Sequence, residues 1–212
     1  MNDPGQPRRD YATMLRLYRE ADGSLRPNAA ALGLRDLGRL SPPQVAGGLH
    51  EYLRLPPQDI LRTLHDREGL DLSVEDAIHA LHDAGGLALA PVEIAAALYS
   101  TDGLYLTSQQ VARALRAALG LTPVQIGHLL YWGLDIPAET VLFALVSAEG
   151  CALPLEEGAR VLHDPDGASL PWPDVAAALY RCEGLNRSPG EIAHALANAQ
   201  TATVQGGNPP CG

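Results

Sequence analysis

Lysine is absent from this chain: all 15 basic residues are arginine, set against 25 acidic ones for a formal charge of −10. An acidic body repels a phosphate backbone at long range, so non-specific nucleic-acid binding is disfavoured. The balance is uneven, with seven Arg against five acids in residues 1–40 and eight against twenty beyond. Cysteine is scarce and odd in number. Cys151, Cys182 and Cys211 have no metal-ligand spacing and read as buried or incidental thiols. Long apolar runs are also missing: Arg, Glu, Gln or His interrupts each within a helix's length, which leaves no membrane span. Arg8-Arg9 opens no export signal, because Arg16, Arg19 and Glu20 cut the stretch that follows and no hydrophobic signal core forms. A cytoplasmic location is the expectation.

What the chain has in abundance is a repeated unit. Ala90 to Leu121, APVEIAAALYSTDGLYLTSQQVARALRAALGL, shows it twice in its clearest form. Taking Ile94 and Leu98 as the reference pair, equivalents are Val45/Leu49, Ile60/Leu64, Val111/Leu115, Ile126/Leu130, Val141/Leu145, Val175/Leu179 and Ile192/Leu196, with Ala77/Leu81 and Gly158/Leu162 as weaker members. Each pair is four residues apart and reference positions recur every 15 or 17 residues, a pattern of short helices and never of strands. Helix starts are marked by Thr122-Pro123-Val124-Gln125 and Ser188-Pro189-Gly190-Glu191, with variants at Ser73 and Thr107. Helix ends are marked by Gly69-Leu70, Gly86-Leu87, Gly103-Leu104, Gly120-Leu121 and Gly184-Leu185, which predict left-handed glycines.

A longer period overlies the first. Shifting the chain by 81 residues sets Ser41–Leu115 on Thr122–Leu196 without a gap, and 26 of 75 positions are then identical. Chance matching at this composition gives roughly a quarter of that, so the chain reads as internally duplicated. The expected fold is all-α: about twelve short helices in ~17-residue single-helix units, forming a superhelical array or a two-lobed body. Residues 1–40 are read as a disordered leader, Met1–Arg9, followed by an atypical helical cap that departs from the repeat spacing. Residues 41–121 form the first half, 122–199 the second and 200–212 a flexible tail. The predicted core includes Ile94, Leu98, Val111, Leu115, Ile126, Leu130, Val175 and Leu179.

The candidate binding residues follow the core leucines. His50, His65, His82, Tyr99, Tyr131, His163 and Tyr180 all occupy the next position, at the edge of the buried stripe. Two readings stand side by side. Near a helix C-terminus a histidine bonds free carbonyls and a tyrosine covers the apolar boundary. Alternatively, if the helices stack in register, the rings line a groove for an aromatic or peptide ligand, with Trp132 and Trp172 joining them. The pairs His65-Asp66, His82-Asp83 and His163-Asp164 lack an accompanying nucleophile or carboxylate motif, so neither catalysis nor a metal is assigned to them.

Two families are resembled in part. Asp164-Pro165-Asp166-Gly167 and Ser100-Thr101-Asp102-Gly103 are similar to the start of an EF-hand calcium loop, but Leu104, Leu106 and Leu170 stand where oxygen ligands belong. Thr122 to Val146 resembles the helix-turn-helix of DNA-binding proteins, which implies a recognition helix at Pro137–Val146. Ile126 and Val141 lie 15 residues apart where that family has about eleven, and the helix offers Glu139 without Arg or Lys. The leading expectation is a non-enzymatic helical-repeat protein that engages a protein or peptide, needs no cofactor and binds no metal. Sequestration of a small organic ligand between the two halves is the alternative, and DNA binding comes third.

Overall fold

The computed structural model describes residues 26–206 except 183 and 186, so the expected leader, the helical pattern at 10–20 and Cys211 lie outside the described residues. The described chain is all-helical and contains no strand. Its helices are α1 (Pro27–Asp36), α2 (Pro42–Leu53), α3 (Pro57–His65), α4 (Val74–His82), α5 (Pro91–Tyr99), α6 (Ser108–Leu119), α7 (Pro123–His128), α8 (Ala138–Val146), α9 (Leu155–His163), α10 (Trp172–Arg181) and α11 (Pro189–Gly206). A π-helical turn, Leu129–Gly133, extends α7.

Every helix starts three residues before its reference position, because the start signals are local. Thr107, Thr122 and Ser188 each close a reciprocal box in which the hydroxyl accepts the N–H three residues on and that residue's side chain accepts in return. Ser73 accepts from the Asp76 N–H at 3.0 Å. From the reference position α1–α9 bury four residues in the pattern p, p+1, p+3, p+4, as in Ile60, Leu61, Thr63 and Leu64 of α3, whereas in α10 Ala176 is half-buried and in α11 Ala193 is exposed and Leu196 half-buried. All eight predicted core residues are buried. The inner positions p+1 and p+3 are mostly small, Ala95 and Ala97 or Ala112 and Ala114, which lets neighbouring helices approach closely.

The chain forms two compact units, the first ending at Tyr105 and the second beginning at Leu106. Within the first, α1–α5 pack each on its neighbour and on the next but one. Within the second, α6–α11 follow the same rule. This scheme puts alternate helices in two layers and explains the width of the buried stripe, since each helix must face partners in two directions. The helix starts at 27, 42, 57, 74 and 91, shifted by 81, become 108, 123, 138, 155 and 172, the starts of α6–α10.

Three sequence expectations are revised. The helix expected to cap the array, α1, is a unit in register: it buries Ala30, Ala31, Gly33 and Leu34, with Ala30 fifteen residues before Val45. Its pair Ala30/Leu34 has the same form as the weaker member Ala77/Leu81. At the other end α11 continues past Gln200 to Gly206, where a tail was expected. Thr201 and Thr203 donate to the carbonyls of Ala197 and Ala199, satisfying their hydroxyls inside the helix.

The third revision concerns the glycines. Gly120 and Gly184 are left-handed, but Gly69, Gly86 and Gly103 are not. In these 17-residue units the residue after the helix is extended, and its carbonyl accepts from the glycine N–H three on and from the N–H five on, as Asp66 does from Gly69 and Asp71. The left-handed residue is the latter: Asp71, Ala88, Tyr105, Ala152 and Ser169 all have φ between 52° and 57°. The glycine is required by proximity instead, since a Cβ at Gly69, Gly103 or Gly150 would come within 2 Å of a helix carbonyl oxygen.

Candidate functional site

The histidine and tyrosine positions separate into two groups. In the first, the ring nitrogen Nδ1 serves the chain's own connections. His65 donates to the Leu72 carbonyl at 2.8 Å, His82 to Leu89 at 2.9 Å, His163 to Leu170 at 2.8 Å and His50 to Leu55 at 3.0 Å. A carbonyl can only accept, so each ring carries its proton on Nδ1. The aspartates of the His-Asp pairs have a matching task. Asp66, Asp83 and Asp164 accept through Oδ1 from the N–H two residues on, at 2.7 to 2.9 Å. Each pair is thus a staple across its connection, and this sequence signal recurs because the connection recurs. Among the described residues no three of His, Cys, Asp and Glu converge in a way that could hold a metal ion.

In the second group the rings face outward. Tyr99 is 41% exposed, Tyr180 60% and Trp132 61%. Within each unit, alternation of helices between two layers divides the row, so successive members do not lie along a single face. His163 stacks on Trp172 with ring centroids 4.2 Å apart. Tyr131 meets Trp132 edge to face at 5.0 Å.

Each unit carries a surface hollow, and the two are built from equivalent positions. In the first unit it lies among α2, the start of α3 and the α4–α5 connection, and is lined by His50, Glu51, Pro57, Leu89 and Glu93 together with a run of glycines. In the second it lies among the π-helical turn, the start of α8 and α10, and is lined at the corresponding positions by Tyr131, Trp132, Ala138, Leu170 and Asp174. The offset of 81 relates all five pairs. The chemistry differs, because Trp132 stands where the first hollow has Glu51.

Three carboxylates, Asp135, Glu139 and Asp174, border the second hollow beside one guanidinium, that of Arg181. Arg181 donates through Nε to the Ala177 carbonyl of its own helix at 3.2 Å. None of the three carboxylates has an ion-pair or side-chain hydrogen-bond partner among the described residues. Ile136, buried, is among the lining residues. The π-helical turn itself arises where the Leu134 N–H bonds the Leu129 carbonyl, five residues back, and such turns recur at binding sites.

Sequence inspection singled out Tyr131 and Trp132 but missed the carboxylates, since nothing local distinguishes Asp135 or Asp174 from any solvated acid. Of the candidates, His50 lines the first hollow, while Tyr131 and Trp132 line the second. His65, His82, Tyr99, Trp172 and Tyr180 stand outside both. His163 and Asp164 border a further depression with Val124 and Ala202.

Two thiols lie inside the second unit. Burial pushes the Cys182 thiol up to about 11, with the negative charge of Glu139 adding to the effect, and its Sγ donates to the Glu139 carbonyl. Burial raises Cys151 as well, opposed by Arg116, whose Nη1 donates to the Cys151 carbonyl at 2.7 Å. Neither is placed as a nucleophile.

No protein-family model, no curated protein and no solved structure matches the chain. Among the described residues no helix is long and apolar enough to cross a membrane.

Proposed function

We propose that this chain is a non-enzymatic binding protein that engages a protein or peptide partner through the hollow of its second unit. The observation that carries this reading is Trp132, a large ring 61% exposed that lines a surface hollow. Leaving an indole in water forgoes the burial that aromatic side chains supply at cores and interfaces, and tryptophan is enriched where partners dock. Recurrence of the hollow at equivalent positions supports the same reading, because the architecture presents a concavity wherever helices two apart leave room between their connections. Chemistry of the site favours recognition over catalysis: rings and carboxylates surround it, and no histidine or cysteine lines it.

The test is a selection of displayed random peptides on the immobilised full-length protein, run in parallel on Trp132→Ala. A sequence family enriched on the wild type and lost on the variant is the expected outcome. Absence of enrichment on the wild type, or equal enrichment on both, would remove the proposal.

A further inference from the structure

We infer that the second hollow takes the arginine side chain of a basic partner segment, seating the guanidinium against the Trp132 ring and among the carboxylates of Asp135, Glu139 and Asp174. The inference rests on the peptide-binding reading above and specifies its ligand.

Charge complementarity selects the occupant. The hollow has three carboxylates to one guanidinium, and that guanidinium is directed to its own helix backbone. An anionic or neutral segment would leave these carboxylates desolvated without compensation, whereas a cation offsets them. Beyond residue 40 the body carries twenty acids against eight arginines, so the surrounding field also steers a cation inward.

Ring geometry favours arginine among cations. The indole of Trp132 meets Tyr131 edge to face and is 61% exposed in a hollow it shares with the carboxylates, a setting for a planar guanidinium that stacks on the ring and donates to them. A lysine ammonium would satisfy the charge but not the stacking and forked donation. In the first unit the equivalent hollow has Glu51 in place of the indole, and glycines along its wall. Its rings are those of His50 and Tyr52 and it has no indole, which makes it an internal control for Trp132 in particular.

The probe is a fluorescein-labelled octapeptide of alternating arginine and glycine, with a citrulline-for-arginine version of the same length, titrated by anisotropy against the full-length protein at low and moderate salt. Citrulline keeps the planar shape and loses the charge. The expected result is binding of the arginine peptide at least about tenfold tighter than the citrulline one, weakened about fivefold by Trp132→Ala and largely restored in Trp132→Phe. The triple change Asp135→Asn, Glu139→Gln, Asp174→Asn abolishes it, while Glu51→Gln in the first hollow leaves it nearly unchanged. Trp132 is exposed, so its variants fold, and far-UV circular dichroism with a urea midpoint verifies this for each protein.

Equal binding of the citrulline peptide overturns the inference. So does indifference to Trp132→Ala, or an effect of Glu51→Gln as large as that of the triple change, which would reduce the interaction to diffuse attraction by an acidic surface. The peptide selection separates the two readings: an enriched motif without arginine leaves the binding function standing and removes this ligand, whereas no motif of any kind removes both.

Discussion

Gly150 and Gly120 both lie in the second unit, and the structure assigns them to glycine for opposite reasons. Gly120 has φ 65° and nothing within 4 Å of where a Cβ would be, so its demand is conformational alone. Alanine there costs the left-handed penalty of about 1 kcal/mol. Gly150 is not left-handed, but a Cβ would sit 1.9 Å from the Ala144 carbonyl oxygen, a backbone atom inside α8 that cannot swing away. Ordinary contact needs about 3.4 Å or more, so the connection must lift off the helix. Lifting it breaks the bond from the Cys151 N–H to that same Ala144 oxygen and the bond from Arg116 Nη1 to the Cys151 carbonyl, and it exposes the buried Cys151 side chain. At about 1 kcal/mol for the backbone bond, rather more for the charged donor, and about 1 for the small side chain, Gly150→Ala should cost about 3 to 4 kcal/mol. Urea unfolding followed by far-UV circular dichroism measures both variants against wild type at constant m-value. Cys151 supplies a second readout, since its thiol should react with an aromatic disulfide reagent under native conditions only in Gly150→Ala. A Gly150→Ala protein no less stable than Gly120→Ala, with Cys151 still protected, would refute the close-contact account.

Other outcomes follow from the same geometry. Ala88 is exposed with φ 53°, so Ala88→Gly relieves a left-handed side chain and should raise stability by about 0.5 kcal/mol in urea melts, whereas alanine-to-glycine changes inside helices lower it. His82→Ala should lose about 1 kcal/mol with its bond to Leu89. His163→Ala should lose about 1 more, because the stack on Trp172 goes too, and the emission spectrum should change with it. The Cys182 thiol sits at about 11 in the fold against an ordinary 9.0, so the folded state holds its proton more tightly than the unfolded one. Stability from this group is complete below pH 9 and falls as pH rises toward about 11; urea midpoints that drop as steeply in Cys182→Ala as in the parent would exclude this cause.

Much of the scaffold was legible because the signals that set it are short-range. A helix start needs a cap and its partner three residues on, and a buried stripe needs apolar residues three and four apart. Both can be counted in Thr122-Pro123-Val124-Gln125 followed by Ile126 and Leu130. Such signals fail where a residue's reason for being there is a neighbour beyond its own turn. The loop glycines illustrate this: Gly69 and Gly120 look alike in sequence, each followed by leucine, yet one answers a torsion angle and the other the carbonyl of Thr63. The unit at α1 stands out only in the structure, where Ala30 is wholly buried at the position equivalent to Val45.

By itself the sequence determined the all-helical class, the helix register from residue 41 onward and the buried pairs four residues apart, since these depend on interactions within a few residues. The histidines after the core leucines were visible as well, though not what they do. Only tertiary packing decided that helices alternate between two layers, which breaks the ring row. It also decided that Trp132 shares a hollow with Asp174, far along the chain, and that Arg181 turns its guanidinium to its own backbone. The reason is physical: a hollow belongs to helices two apart, and the space between them is fixed by how closely their small residues let them approach, which no local pattern records.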